Sequence, residues 1–124
     1  MQLPKEHTVL RIVPAASDVN AAGDIFGGWL MSQADIAGSI VAARHTKGRV
    51  VTVAVNDFHF ISPVFIGDVV SIYGEVEKIG TTSIVIAITV YSERKLQKSI
   101  EAIYVAIGHF TYVHLDKSGK PLAI

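Results

Sequence analysis

The chain has 124 residues, half of them hydrophobic, with 11 basic and 11 acidic side chains and no cysteine. That size and composition fit one domain spanning residues 1–124 around a single core. Zero formal net charge argues against nucleic acid or an anionic membrane as partner, because both select for a basic excess.

The lack of cysteine removes disulfide and thiolate chemistry and favours a cytoplasmic location. No apolar run approaches the roughly 18 residues of a membrane span. The first residues, Met1 to His7, are too polar and too few for a secretion signal, so a soluble protein is expected. Mean hydropathy is +0.43, high for so small a chain, which points to apolar surface buried between copies.

In chain order, Thr8 to Val13 reads as a short strand rich in branched residues. Pro14 to Asp24 is dense in turn and cap formers. A long helix follows from Gly27 to Arg44, stopped by Lys47-Gly48. Arg49 to Phe60 alternates, with Val51, Val53 and Val55 on one face and Val50, Thr52, Ala54, Phe58 and Phe60 on the other. Val69 to Ile79 and Ser83 to Tyr91 read as strands joined by a hairpin at Gly80-Thr81-Thr82. Ser92 to Lys98 is polar and reads as a connection, and Ile100 to Leu115 as a last long strand. One long helix packed against a twisted antiparallel sheet of about five strands is an α+β domain.

Asp35 is the only charged side chain between Asp24 and Arg44. At about 100° per residue, Trp29, Leu30, Gln33, Ile36, Ala37, Ile40 and Val41 share one side of the helix. Asp35 falls opposite, among Gly28, Met31, Ser32, Gly38, Ser39 and Ala42. A solvated face would carry Lys and Glu there; small residues instead admit another surface. A lone carboxylate in that setting is a candidate general base or nucleophile. The alternative is a single solvent-facing aspartate.

Other chemistries are set aside. The chain has no phosphate loop, no dinucleotide fingerprint and no Gly-x-Ser-x-Gly elbow. His7, His45, His59, His109 and His114 lack metal-ligand spacing, so no metal is expected. Gly27-Gly28 open the helix, where free N–H groups and the dipole favour developing negative charge and glycine admits close approach. Such a terminus can polarise a carbonyl and hold its oxyanion. The same glycines could instead serve only a sharp turn into the helix.

The run Ser17-Asp18-Val19-Asn20-Ala21-Ala22-Gly23-Asp24-Ile25-Phe26-Gly27-Gly28-Trp29-Leu30-Met31-Ser32-Gln33-Ala34-Asp35 closely resembles the YciA-type acyl-CoA thioesterases of the hot-dog superfamily. The likeness continues through Gly48 to Val55, Pro63 to Val70 and Gly80 to Ser83. The resemblance implies a hot-dog fold, in which a curved antiparallel sheet wraps one central helix. It implies homodimers that pair sheets and assemble to hexamers or tetramers, and hydrolysis of acyl-CoA to free acid and CoA. It also implies a catalytic carboxylate at Asp35, a thioester carbonyl over Gly27 and Gly28, and a contribution from Asn20 across the dimer interface.

CoA is then part of substrate and product, and no cofactor is expected. Its phosphates need cations: Arg94 and Lys95 with Lys98, or Arg49 with Arg44 and Lys47, with Ser83 as a further CoA contact. The competing function is a non-catalytic acyl-CoA-binding hot-dog module, although binding alone has no use for Asp35. A dehydratase would pair its carboxylate with a nearby histidine, and His45 lies on a different side of the helix.

Overall fold

The computed structural model describes Met1–Ile124. Strand β1 (Leu10–Ile12) is followed by a 3₁₀ turn at Ala16–Asp18 and the helix α1 (Gly27–Ala43). Strands β2 (Arg49–Phe60), β3 (Val69–Ile79), β4 (Ser83–Leu96) and β5 (Ser99–Leu115) complete the chain. They form one sheet in the order β1-β3-β4-β5-β2, antiparallel throughout. No helix is long and apolar enough to cross a membrane.

β4 is the central strand, and its alternation is strict: Ile84, Ile86, Ile88 and Val90 are fully buried. They meet Leu30, Ala34, Ala37 and Val41 of α1 in one core that also takes in Val70, Ile72, Phe110 and Tyr112. A strand buried on one face with period two, covered by a helical stripe of period 3.6, is what the apolar pattern dictates.

Three expectations need correction. The polar stretch Ser92 to Lys98 is not a loop: β4 runs on to Leu96 and turns back within two residues. Pairing with β5 carries it, with Arg94 opposite Glu101, a cross-strand pair of opposite charge. The helix faces also differ from the simple wheel. Gly38 and Ala42 are buried against the chain's own sheet, whereas Ile36 is exposed. Gly28, Met31 and Ser32 remain with Asp35 around one depression, and Ser39 stays partly exposed.

β2 departs from alternation at two bulges, where the register against β5 slips between Thr52 and Ala54 and between Asn56 and His59. Each slip exchanges the faces of the residues beyond it. Val55 therefore joins Thr52 on the helix side, while Val53 turns outward. Asp57, in the second bulge, takes a left-handed backbone (φ 49°).

The connection Ile61 to Asp68 is pinned at both ends. Ile25 N–H donates to Val64 O at 2.9 Å, and Ile61 N–H to Val105 O at 2.7 Å. The buried Asp68 carboxylate takes two guanidinium bonds from Arg94, at 3.0 and 2.8 Å. It accepts further bonds from Ser92 Oγ and the Phe65 N–H. Burial alone would raise the pKa of Asp68, but the Arg94, Phe65 and Ser92 bonds and the Arg94 charge outweigh it and hold the carboxyl below its usual range.

Candidate active site

Asp35 sits in the third turn of α1, partly buried at the boundary between the core stripe and solvent. Its Oδ1 accepts a bond from Thr52 Oγ1 at 2.6 Å and lies 3.0 Å from the Tyr112 hydroxyl. The same hydroxyl is 2.8 Å from the Asp35 backbone carbonyl. Thr52 and Tyr112 are direct partners across the β2–β5 pair, so neighbouring strands aim both donors at one helix residue. Burial first, then the Asp35 charge and the hydrogen bond to it, push the Tyr112 phenol far up, so it stays a donor. A depression of about 250 Å³ opens beside the carboxylate, lined by Gly28, Met31, Ser32, Thr52, Val55 and Phe110.

The start of α1 has no side-chain cap and no acidic residue in its first turn. Its leading N–H groups are thus available to an acceptor from outside the helix. Nothing lies within 4 Å of where a Gly28 side chain would begin, while at Gly27 the Phe60 ring is 3.1 Å away. Gly28 borders the Asp35 depression, and Gly27 borders another of about 290 Å³ with Asn20, Asp24, Phe60 and Ser62.

Asn20 belongs to that second depression. Its Oδ1 accepts from the N–H groups of Ala22 and Asp24, at 2.9 and 3.1 Å, and so ties the turn that leads into the helix. Within one copy, Asn20 and Asp35 line different depressions.

The expected CoA contacts do not converge within one copy either. Ser83 faces Val113 and Arg49 faces Leu115 at one end of the sheet, whereas Arg94 and Lys95 face Glu101 and Ile100 at the other. The stretch of β4 from Ser83 to Lys95 amounts to about 40 Å of extended strand. Arg94, expected as a free cation, is committed to Asp68 and stacks over Phe65 with its guanidinium carbon 4.5 Å from the ring centroid. Lys95 borders a depression of about 350 Å³ with Arg11, Gly67 and Glu93. Arg49 borders one of about 340 Å³ with Lys47, His114 and Lys117.

The chain and its fold have clear relatives. Residues 22–98 match the thioesterase superfamily. The chain is 48% identical over 119 residues to the acyl-CoA thioester hydrolase YciA of Salmonella typhimurium, covering 95% of this chain and 90% of the relative. The chain belongs to the thioesterase superfamily, in its YciA-type branch.

Its hot-dog architecture superposes with a TM-score of 0.92 on a hexameric hotdog-fold thioesterase of Campylobacter jejuni. That protein is 40% identical, with 96% of this chain and 90% of the other covered. A hexameric thioesterase from Yersinia pestis gives a TM-score of 0.88 at 45% identity, with 98% of each chain covered.

The superfamily match takes in Gly27, Gly28, Asp35 and Thr52 but stops short of Tyr112. Sequence reasoning passed over both donors to Asp35. The available signal was a hydroxyl at Thr52 on the otherwise apolar inward face of β2, and a tyrosine between Phe110 and His114 on the inward face of β5.

Proposed function

We propose that this thioesterase-superfamily protein hydrolyses acyl-CoA thioesters to a free carboxylic acid and CoA. The observation that carries the reading is the Asp35 carboxylate sharing one depression with Gly28, at a helix start that has no side-chain cap. The thioester carbonyl lies over the Gly27 and Gly28 N–H groups, which take up the oxyanion as it develops.

In one route Asp35 removes a proton from water, and the resulting hydroxide adds to the carbonyl carbon. Collapse then breaks the C–S bond and returns the proton to the thiolate. In the other, Asp35 adds to the carbonyl carbon itself and expels the thiolate, leaving a mixed anhydride that water hydrolyses. Both routes use a carboxylate and an oxyanion site, and neither calls on a cofactor.

The site is completed by a second copy. β2 ends the sheet with a free edge and carries exposed Val53 and Phe60. Two such edges paired antiparallel bring one copy's Arg49 end beside the other's Phe60 end. That arrangement lets Asn20 act on the partner's Asp35 and brings Arg49 toward Lys95, which converts scattered residues into one acyl-CoA site. Lys95 and the partner's Arg49 then contact the CoA phosphates, with Arg94 as a brace behind them and Ser83 at the far end of the sheet. Relatives described as hexameric support a trimer of such dimers. The cysteine-free composition supports a cytoplasmic enzyme.

The test is release of free thiol from a panel of acyl-CoA chain lengths. Asp35→Asn keeps the shape and removes the basic lone pair, so kcat falls by roughly 10²–10⁴, while KM changes little. Acyl-CoA binding without thiol release at any chain length would instead make the protein a binding module.

A further inference from the structure

We infer that Thr52 and Tyr112 are positioning residues that hold Oδ1 of Asp35 and thereby reserve Oδ2 as the working oxygen. The inference rests on the function proposed above and assigns the two carboxylate oxygens different tasks. A carboxylate offers each oxygen about two acceptor sites. At Oδ1 the Thr52 hydroxyl donates at 2.6 Å and the Tyr112 hydroxyl lies at 3.0 Å, its one proton shared with the Asp35 backbone carbonyl, whereas no group of this chain donates to Oδ2.

Both donors come from the sheet rather than the helix. They occupy directly opposed positions on β2 and β5, so Asp35 is oriented by a scaffold that does not depend on α1. Tyr112 also reaches the Asp35 backbone carbonyl and fixes the helix at the residue whose side chain works.

Two local departures from regular structure serve this arrangement. A side chain at Gly38, one helical turn beyond Asp35, would collide with the Tyr112 hydroxyl. Glycine inside a helix is otherwise unfavourable, so its presence here fits a requirement for close approach. On β2, the first bulge follows Thr52 immediately. It turns Val55 inward, so that the carboxylate has a hydroxyl on one side and an apolar wall on the other. Bulges of this kind re-aim side chains beside active sites.

The experiment compares Thr52→Val, Thr52→Ser, Tyr112→Phe and the Thr52→Val/Tyr112→Phe double variant, with Asp35→Asn as reference. Each is assayed for kcat, KM and thermal midpoint. Thr52→Val and Tyr112→Phe should each lower kcat by about 10- to 100-fold, the scale of a reacting group left about 1 Å out of place. KM should stay within about twofold, because ground-state binding is untouched. Thr52→Ser should restore most of the lost turnover, since it returns the hydroxyl and omits only a methyl. The double variant should lose less than the product of the singles, because both donors act on one oxygen.

Thr52 lies at the surface of a single copy, so its substitutions test the inference even where Tyr112→Phe disturbs folding. Should Asp35→Asn abolish turnover while Thr52→Val retains wild-type kcat, or should Thr52→Ser be as impaired as Thr52→Val, the positioning role is overturned. Should Asp35→Asn itself retain turnover, the proposed function fails instead, which separates the two.

Discussion

At the residue scale, Gly38 shows how one missing Cβ links packing to chemistry. Replacing a helical glycine by alanine normally gains about 0.5–1 kcal/mol. Here the new methyl meets the Tyr112 hydroxyl, and overpacking a full core costs about 1–3 kcal/mol. The clash wins, so Gly38→Ala should lower the thermal midpoint by a few degrees, roughly 3–6 °C. It should also lower kcat, because relief of the clash moves Tyr112 away from Asp35. A stabilised and fully active Gly38→Ala would show that the helix can shift at no cost. Asp35 itself was legible as the one charge in an apolar helix, but Thr52 and Tyr112 were not. Nothing local marks a threonine or a tyrosine in a strand as the partner of a residue 17 or 77 positions away.

At the scale of elements, the pair Asp68–Arg94 does more than any surface ion pair. It closes the Ile61 to Asp68 connection onto β4, and that connection borders the Gly27 depression. Removing Arg94 leaves a buried carboxylate uncompensated, a loss of about 3–5 kcal/mol. The exposed Arg11–Glu93 pair is worth about 0–1 kcal/mol. Arg94→Ala should therefore lower the thermal midpoint sharply and Arg11→Ala barely, as calorimetry of the two variants would show.

The pair also sets a pH dependence. The Asp68 carboxyl titrates lower in the folded state than in the unfolded one, so its contribution is complete above the unfolded value of about 3.9. It is lost as pH falls through the folded value. The midpoint gap between wild type and Asp68→Asn should be widest near neutrality and narrow below about pH 4. A gap independent of pH would deny Asp68 its ionised role. The turn at Gly80 and the alternation in β4 were readable because they are local. The extension of β4 to Leu96 was not, because polar residues become strand only when β5 supplies partners.

At the scale of the whole molecule, the free edge strand β2 carries exposed Val53, Val55 and Phe60. A charge at Val53, as in Val53→Asp, should block edge pairing and leave monomers of about 13.3 kDa without turnover, a result sedimentation and thiol release would report together. A complementation experiment tests whether copies share sites. Asn20→Ala and Asp35→Asn should each be impaired alone. Mixed and reassembled, they should regain about one quarter of wild-type activity, because half the random dimers are hybrid and each hybrid holds one intact site. Failure of the mixture to regain activity, with hybrids verified, would place the Asn20 and Asp35 of each site in the same copy.

Local patterning alone establishes one long helix that carries a single carboxylate and lies against an antiparallel sheet. Hydrophobic period, turn residues and glycine pairs are properties of neighbouring positions, and they act before any distant contact exists. The partners of Asp35, the commitment of Arg94 to Asp68, and the placing of Arg49 and Lys95 at opposite ends of one copy emerge only in the closed sheet. These follow from strand register, and register obeys a period of two. A single bulged residue such as Val53 exchanges the faces of all that follow it, so long-range partners are fixed only when the whole sheet closes.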